Sequence, residues 1–173
     1  TRRERKELLS GAFPQRSKLP SAAEMQEFDR FTIEECGTPS LVLMERAGVG
    51  VTDVVVQHCG DLLGAGASVL ILLGPGNNGG DGLVVARLLH SRGCTVQVVA
   101  CQASHYSEDF LVQLKLYTEK CGSDGLFVFG EAREFVGGVC GAALAVEDFQ
   151  QLVTNAVILS LIHISEPTRR VFI

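Results

Sequence analysis

Apolar positions along this chain follow two rhythms that alternate. Residues 21–24 read SAAE, a capping box in which Ser21 caps a helix and Glu24 reaches back. Met25, Phe28 and Ile33 then mark an approximate apolar face on a helix ending near residues 36–37. A second helix starts at residues 39–40. Leu41, Met44, Ala47, Val51, Val54 and Val55 line one side of it, and Gly60 and Gly64 close it. The rhythm then changes. Residues 68–73 (SVLILL) form a continuous apolar run bounded by glycine, which suits a parallel strand buried on both faces. Residues 74–82 (GPGNNGGDG) read as a loop, and residues 83–91 as a helix with Gly93 as its C-cap. Residues 95–100 (TVQVVA) predict a second strand. Ser107 opens a helix with acids in its first turn, running through Phe110, Leu114 and Tyr117 to Lys120. Residues 126–129 (LFVF) predict a third strand, residues 147–152 a short helical turn, and residues 155–158 a fourth strand. The stretch from Glu131 to Glu147 is glycine-rich and weakly patterned, and no internal repeat is visible. Strands alternating with helices imply right-handed crossovers. The expected class is therefore α/β: three layers around a mostly parallel sheet, with two N-terminal helices packed on it.

The chemistry concentrates in residues 74–82. Gly74, Gly76 and Gly79 satisfy G-x-G-x-x-G between a strand and a helix, a context in which backbone N–H groups meet a phosphate or other polar ligand. Dinucleotide sites of the usual kind add an acid about 20 residues further on. Here residues 98–102 contain neither Asp nor Glu, which weakens a hydride-transfer reading. Asn77, Asn78 and Asp81 stand among the glycines instead. The amides offer donors and acceptors, Asp81 suits hydroxyls better than phosphate, and an Asn oxygen can serve a hard cation. The same residues are also ordinary turn formers.

Composition narrows the classes. At 173 residues, 46% hydrophobic and 20% charged, the chain fits one globular domain. The net charge of −5 hides an asymmetry. Residues 1–18 form a basic tail, whereas residues 20–158 are strongly acidic, which disfavours general nucleic-acid binding. No apolar run reaches the ~20 residues of a membrane span. Cys36, Cys59, Cys94, Cys101, Cys121 and Cys140 show no C-x-x-C pair, so free, mostly buried thiols in a reducing compartment are expected. His58, His90 and His105 are spaced too irregularly for a metal site, and no base is evident to activate Cys94 or Cys101. Glu45 and Arg46 fit either a ligand cleft or a helix-surface pair.

The ends read differently from the middle. The chain begins with Thr1 rather than Met, so the N-terminus is expected to be missing. Residues 159–169 (LSLIHISEPTR) resemble the in-frame translation of a transposon-end sequencing adapter. Residues 159–173 are therefore expected to be a non-native tail, leaving residues 19–158 as a partial domain, incomplete at the C-terminus, that is inactive as it stands.

The run LVLMERAG at residues 41–48, with VLILLGPGNNGGDGLVVARLL at residues 69–89, resembles the YjeF N-terminal domain family, the NAD(P)H-hydrate epimerases. LPSAAEM at residues 19–25 fits the family's opening, and the likeness extends over roughly residues 19–158. It implies a Rossmann-like fold and epimerisation of the R and S forms of NADHX and NADPHX, the hydrated forms of reduced nicotinamide cofactors. It implies that Asn77, Asn78, Gly79, Gly80 and Asp81 bind this small-molecule substrate, with Asn78 a ligand to potassium. The acid–base residue is not assigned. The likeness implies, beyond residue 158, an aspartate and a Ser that hold the potassium and a further aspartate at the reacting centre. It leaves open a homodimer, a fused or separate hydrate dehydratase, and a cytoplasmic or mitochondrial setting. Two rival readings remain: a non-catalytic nucleotide-binding module of the same fold, and an NAD(P)-dependent oxidoreductase.

Overall fold

A computed structural model describes residues 21–129, 131, 133–135, 139–154 and 156–161. The basic tail and residues 162–173 lie outside the described residues. Helix α1 spans Ala22–Glu34 and α2 spans Ser40–Gly64. Strand β1 (Ser68–Leu73), α3 (Asn77–Ser91), β2 (Val96–Ala100), α4 (Glu108–Cys121) and β3 (Leu126–Phe129) follow. Then come β4 (Arg133–Glu134), β5 (Cys140–Leu144), α5 (Val146–Val153) and β6 (Ala156–Leu161).

The sheet order is β4-β5-β3-β2-β1-β6. All neighbours are parallel except β4, which runs antiparallel to β5. The expected α/β class is borne out. β1 pairs Leu70 with Gln97 on one side and with Ile158 on the other, so it is the strand from which the chain departs in both directions. One sheet face presents Val69, Ile71, Leu73, Val98, Leu126 and Val128 to a core filled from α3 and α4 by Leu83, Leu89, Phe110 and Leu114. The other face carries a smaller cluster of Leu70, Val99 and Leu144, with Phe149 and Leu152 of α5 laid against it.

Several local expectations hold. Ser21 forms the capping box with Glu24: the Ser21 backbone N–H donates to Glu24 Oε2 at 2.6 Å and Glu24 N–H to Ser21 Oγ at 3.3 Å. Ser107 caps α4, accepting from Phe110 N–H at 3.2 Å. Two expectations need correction. The buried stripe of α2 is Met44, Gly48, Thr52, Val55 and Cys59, whereas Val54 is 42% exposed. The helix turns its smallest residue inward because Gly48 meets Val84 of α3: a Cβ there would lie 2.3 Å from Val84 Cγ1. The weakly patterned stretch after Glu131 holds two strands, β4 and β5. β5 is easily overlooked because Gly141, Ala142 and Ala143 have little strand preference. Gly141 is required by packing, since a Cβ would stand 2.6 Å from Val128 Cγ2.

β6 continues through Leu161, paired with Leu73, so the first three residues of the segment set apart as a tail extend the strand. All six cysteines are free. Only Cys59 is buried; Cys94, Cys101 and Cys121 are half-buried, and Cys36 and Cys140 are exposed, so most are not core thiols.

Candidate functional site

Open parallel sheets bind ligands outside the carboxyl ends of their strands, where the chain's winding reverses. Here that point is the end of β1, between β2 and β6. Residues 74–76 are all the loop there is. Helix α3 begins at Asn77 with Gly76 as its N-cap, six residues before the start expected from the sequence. Gly79 and Gly80 N–H both return to the Gly76 carbonyl, at 3.0 and 3.2 Å. Residues 77–82 are therefore helix, and the reading of residues 74–82 as one loop is corrected.

The reason lies in packing. None of these glycines has a positive φ; those that do are Gly37, Gly66, Gly93 and Gly122. Gly79 and Gly80 are buried. A Cβ on Gly79 would lie 2.0 Å from the Gly74 carbonyl oxygen and 3.0 Å from Phe110 Cδ2. One on Gly80 would lie 2.7 Å from Met44 Sδ. Glycine at these positions lets the start of α3 rest directly on the end of β1, wedged between α2 and α4. A low helix preference, about 1 kcal/mol per glycine relative to Ala, is overridden by that contact.

The polar residues take the remaining sides of the same turns. Asn77 is exposed, and Asn78 and Asp81 are half-buried. Spacings of three and four put Asp81 one turn beyond both amides, on the same side of the helix. All five residues expected to bind substrate thus fall in the first two turns of α3, but in two roles. Asn77, Asn78 and Asp81 are the less covered residues of the segment, whereas Gly79 and Gly80 are spacers. The loops beside them are tied down. Ser107 N–H donates to the Pro75 carbonyl at 2.9 Å, and Cys101 N–H to that of Leu73 at 2.8 Å. Tyr106 Oη donates to the Cys101 carbonyl at 2.7 Å. Its ring stacks on Phe110 at 4.9 Å and meets Phe135 edge-on at 5.3 Å. Sequence pattern marked Phe110 as core, but Tyr106 and Phe135 carried no signal, because their roles depend on strand order.

Burial pushes the Cys101 thiol upward, keeping it protonated at neutral pH and unsuited to act as a nucleophile. Glu45 is an ion-pair partner rather than a cleft residue. It meets Arg87 of α3, while Arg46 is exposed. Arg87 Nη2 also donates to Gln113 Oε1 of α4 at 2.8 Å. That partly buried triad was not anticipated from the sequence, since its members are 26 to 68 residues apart. Among the described residues, no group of three His, Cys, Asp or Glu side chains could hold a metal ion, and no helix is long and apolar enough to cross a membrane.

Residues 40–132 match the family described as YjeF-related protein N-terminus. The chain belongs to this family. The matched segment runs from the first residue of α2 past β3 and contains the whole α2–β1–α3 unit just described. Among YjeF-related proteins, a relative named NAD(P)H-hydrate epimerase from Limosilactobacillus fermentum is 43% identical over 94 residues, which is 54% of this chain and 43% of that protein. Another of that name from Limosilactobacillus reuteri is 36% identical over 130 residues, 73% of this chain and 60% of that protein. The "Bifunctional NAD(P)H-hydrate repair enzyme Nnr" of Moorella thermoacetica is 41% identical over 115 residues, 66% of this chain and 21% of that protein. The crystal structure of yeast ynu0 superposes with a TM-score of 0.51 at 25% identity, over 84% of this chain and 70% of that one. The chain thus spans less than half the length of the Limosilactobacillus fermentum relative.

Proposed function

We propose that this chain carries the ligand-binding portion of an NAD(P)H-hydrate epimerase, an isomerase that interconverts the R and S hydrates of NADH and NADPH in nicotinamide cofactor repair. One observation carries the reading. The first two turns of α3 hold Asn77, Asn78 and Asp81 open at the end of β1, while Gly79 and Gly80 seat the helix beneath them. The names borne by the relatives give that polar face its substrate. The N–H groups at the start of α3 suit the anionic pyrophosphate of a dinucleotide. The two amides supply donors and acceptors, and the Asp81 carboxylate accepts from hydroxyls.

Both hydrates carry a hydroxyl on C6 of the reduced nicotinamide ring. Protonation and departure of that hydroxyl as water leaves C6 planar, with the ring nitrogen's lone pair sharing the positive charge. Return of water to the opposite face, with loss of a proton, gives the other hydrate. Atoms and electrons balance without a redox partner. The acid–base group is not assigned among the described residues.

Potassium fits the donors in part. The Asn78 amide offers a hard oxygen, and Asp81 lies one turn away to offset the positive helix start. When bound, the ion would order the substrate's oxygens beside Asn78. The oxidoreductase reading is less well supported, because residues 100–102 at the end of β2 read Ala-Cys-Gln and lack a ribose-binding carboxylate. We extend the proposal to a hydrate dehydratase, fused or separate, as consumer of the S hydrate, and to a cytoplasmic or mitochondrial setting. A homodimer is the assembly to test.

The test follows R-to-S conversion of NADHX by chromatography in the whole protein of which this chain is the ligand-binding portion. Asp81→Ala is expected to lower turnover about tenfold or more, with the melting temperature within about 2 °C of wild type. Unchanged turnover would remove Asp81 from the site. Asn78→Ala is expected to flatten the response of activity to added potassium, and an identical response in both proteins would remove the ligand role. Ligand binding without turnover by that whole protein, unaltered, favours the non-catalytic module.

A further inference from the structure

The start of α3 is placed by glycine contacts, and such contacts are smooth. Gly48 of α2 faces Val84, Gly80 faces the flexible Met44 side chain, and Gly79 faces a backbone carbonyl. None of these supplies an interlocking side chain that would fix how far α3 is rotated about its axis or slid along it. Leu83 and Leu89 key the apolar side of α3 into the core; on its polar side the fixing contact lies further along. Arg87, whose side chain is 13% exposed, reaches Glu45 on α2 and Gln113 on α4 from a single nitrogen, Nη2. Gln113 is 1% exposed, and its Nε2 approaches Glu45 Oε1 at 3.5 Å, so the three side chains close a ring across three helices. Arg87 Nε is buried without a hydrogen-bond partner among the described residues. The cluster is buried at Arg87 and Gln113 and open at Glu45, whose side chain is 41% exposed; a polar cluster of this kind is a poor source of stability, and its best-attested use is to specify one packing arrangement over its neighbours.

The geometry points to Arg87 as a positioning residue: through Glu45 and Gln113 it sets the rotation and axial register of α3, and so aims Asn77, Asn78 and Asp81. Arg87 lies six residues beyond Asp81, about 9 Å along the helix axis, too far along to line the site itself. The inference rests on the proposed reading of those three residues as the ligand face.

The experiment uses the full 173-residue chain. Amide hydrogen exchange is measured over residues 77–84 together with melting temperature, for wild type, Arg87→Met, Arg87→Lys and Glu45→Gln. Arg87→Met keeps the apolar stem and removes the donors. Exchange over residues 77–84 is expected to rise about tenfold with little change in melting temperature, because a smooth contact permits motion without unfolding. Arg87→Lys, with three donors on one nitrogen, is expected to restore most of the protection. Exchange unchanged in Arg87→Met, or raised equally across the core alongside a fall in melting temperature, overturns the assignment. If Arg87→Met does not fold, Glu45→Gln decides. A rise of a few-fold confined to residues 77–84 supports the role, and no local rise overturns it. In the epimerase assay, Arg87→Met is expected to raise the KM for NADHX more than it lowers kcat. The kinetic arm uses the whole protein of which this chain is the ligand-binding portion: its failure to epimerise NADHX would remove the functional reading, while the exchange measurements on the 173-residue chain still decide what Arg87 does.

Discussion

Two glycines three residues apart, Gly76 and Gly79, differ in what they tolerate. Gly76 has φ −97° and ψ −165°, extended backbone open to any residue, and a Cβ there would meet nothing within 4 Å. Gly79 has the Gly74 carbonyl oxygen 2.0 Å from where its Cβ would stand. Gly79→Ala should therefore force backbone to move and cost about 1–3 kcal/mol, as overpacking does, lowering the melting temperature by roughly 2–4 °C per kcal/mol. Gly76→Ser should leave the melting temperature unchanged or raise it slightly, since Ser caps a helix better than Gly by a few tenths of a kcal/mol. Its hydroxyl would also occupy the N–H groups offered to the ligand, so the KM for the hydrate should rise. Thermal melts and hydrate kinetics on the two variants check this, and equal melting temperatures would refute the packing account.

Helix α4 carries a titration that reports on its burial. Tyr117 is 2% exposed, and burial, with the nearby Cys121 thiol as a second cause, pushes its phenol up to about 12. In the unfolded chain a phenol titrates near 10. The folded protein thus holds this proton more tightly. Stability from Tyr117 is complete below about pH 10 and is lost as pH rises toward 12. Denaturant midpoints from pH 9 to 11.5 should fall more steeply for wild type than for Tyr117→Phe, and parallel curves would refute the shift. The elements themselves were unevenly legible. β1 and β3 match the apolar runs that predicted them, because a short continuous apolar run bounded by turn residues declares a strand in sequence. The starts of α1 and α4 were set by capping residues visible in the sequence. The start of α3 was hidden, because glycines that serve helix packing look like glycines that serve a turn. β5 was hidden because small residues in a strand pack well but carry no strand preference. The five residues expected to bind substrate lie together in the first two turns of α3, yet which of them seat the helix depends on what lies against each one.

The two faces of the sheet are covered unequally. One bears the layer of α2, α3 and α4, and the other, among the described residues, the eight-residue α5. Phe110 is fully buried in the thick layer, whereas Phe149 is half-buried and meets the 40%-exposed Phe129 edge-on at 5.7 Å. Phe110→Ala should cost about 3–5 kcal/mol, and Phe149→Ala roughly half that or less, in proportion to the apolar area removed from water. Urea midpoints of the two variants measure the difference. A larger loss at Phe149 would show that α5 contributes more to the fold than its length suggests.

The contact at Gly79 also bears on inheritance. Every amino-acid change reached from a glycine codon by one base change adds at least a Cβ or ends the chain. At a position where that atom would lie 2.0 Å from a backbone carbonyl, no conservative missense allele exists. In any population carrying this gene, amino-acid variation should be nearly absent at residue 79 on grounds of space alone, whatever the strength of selection on the reaction.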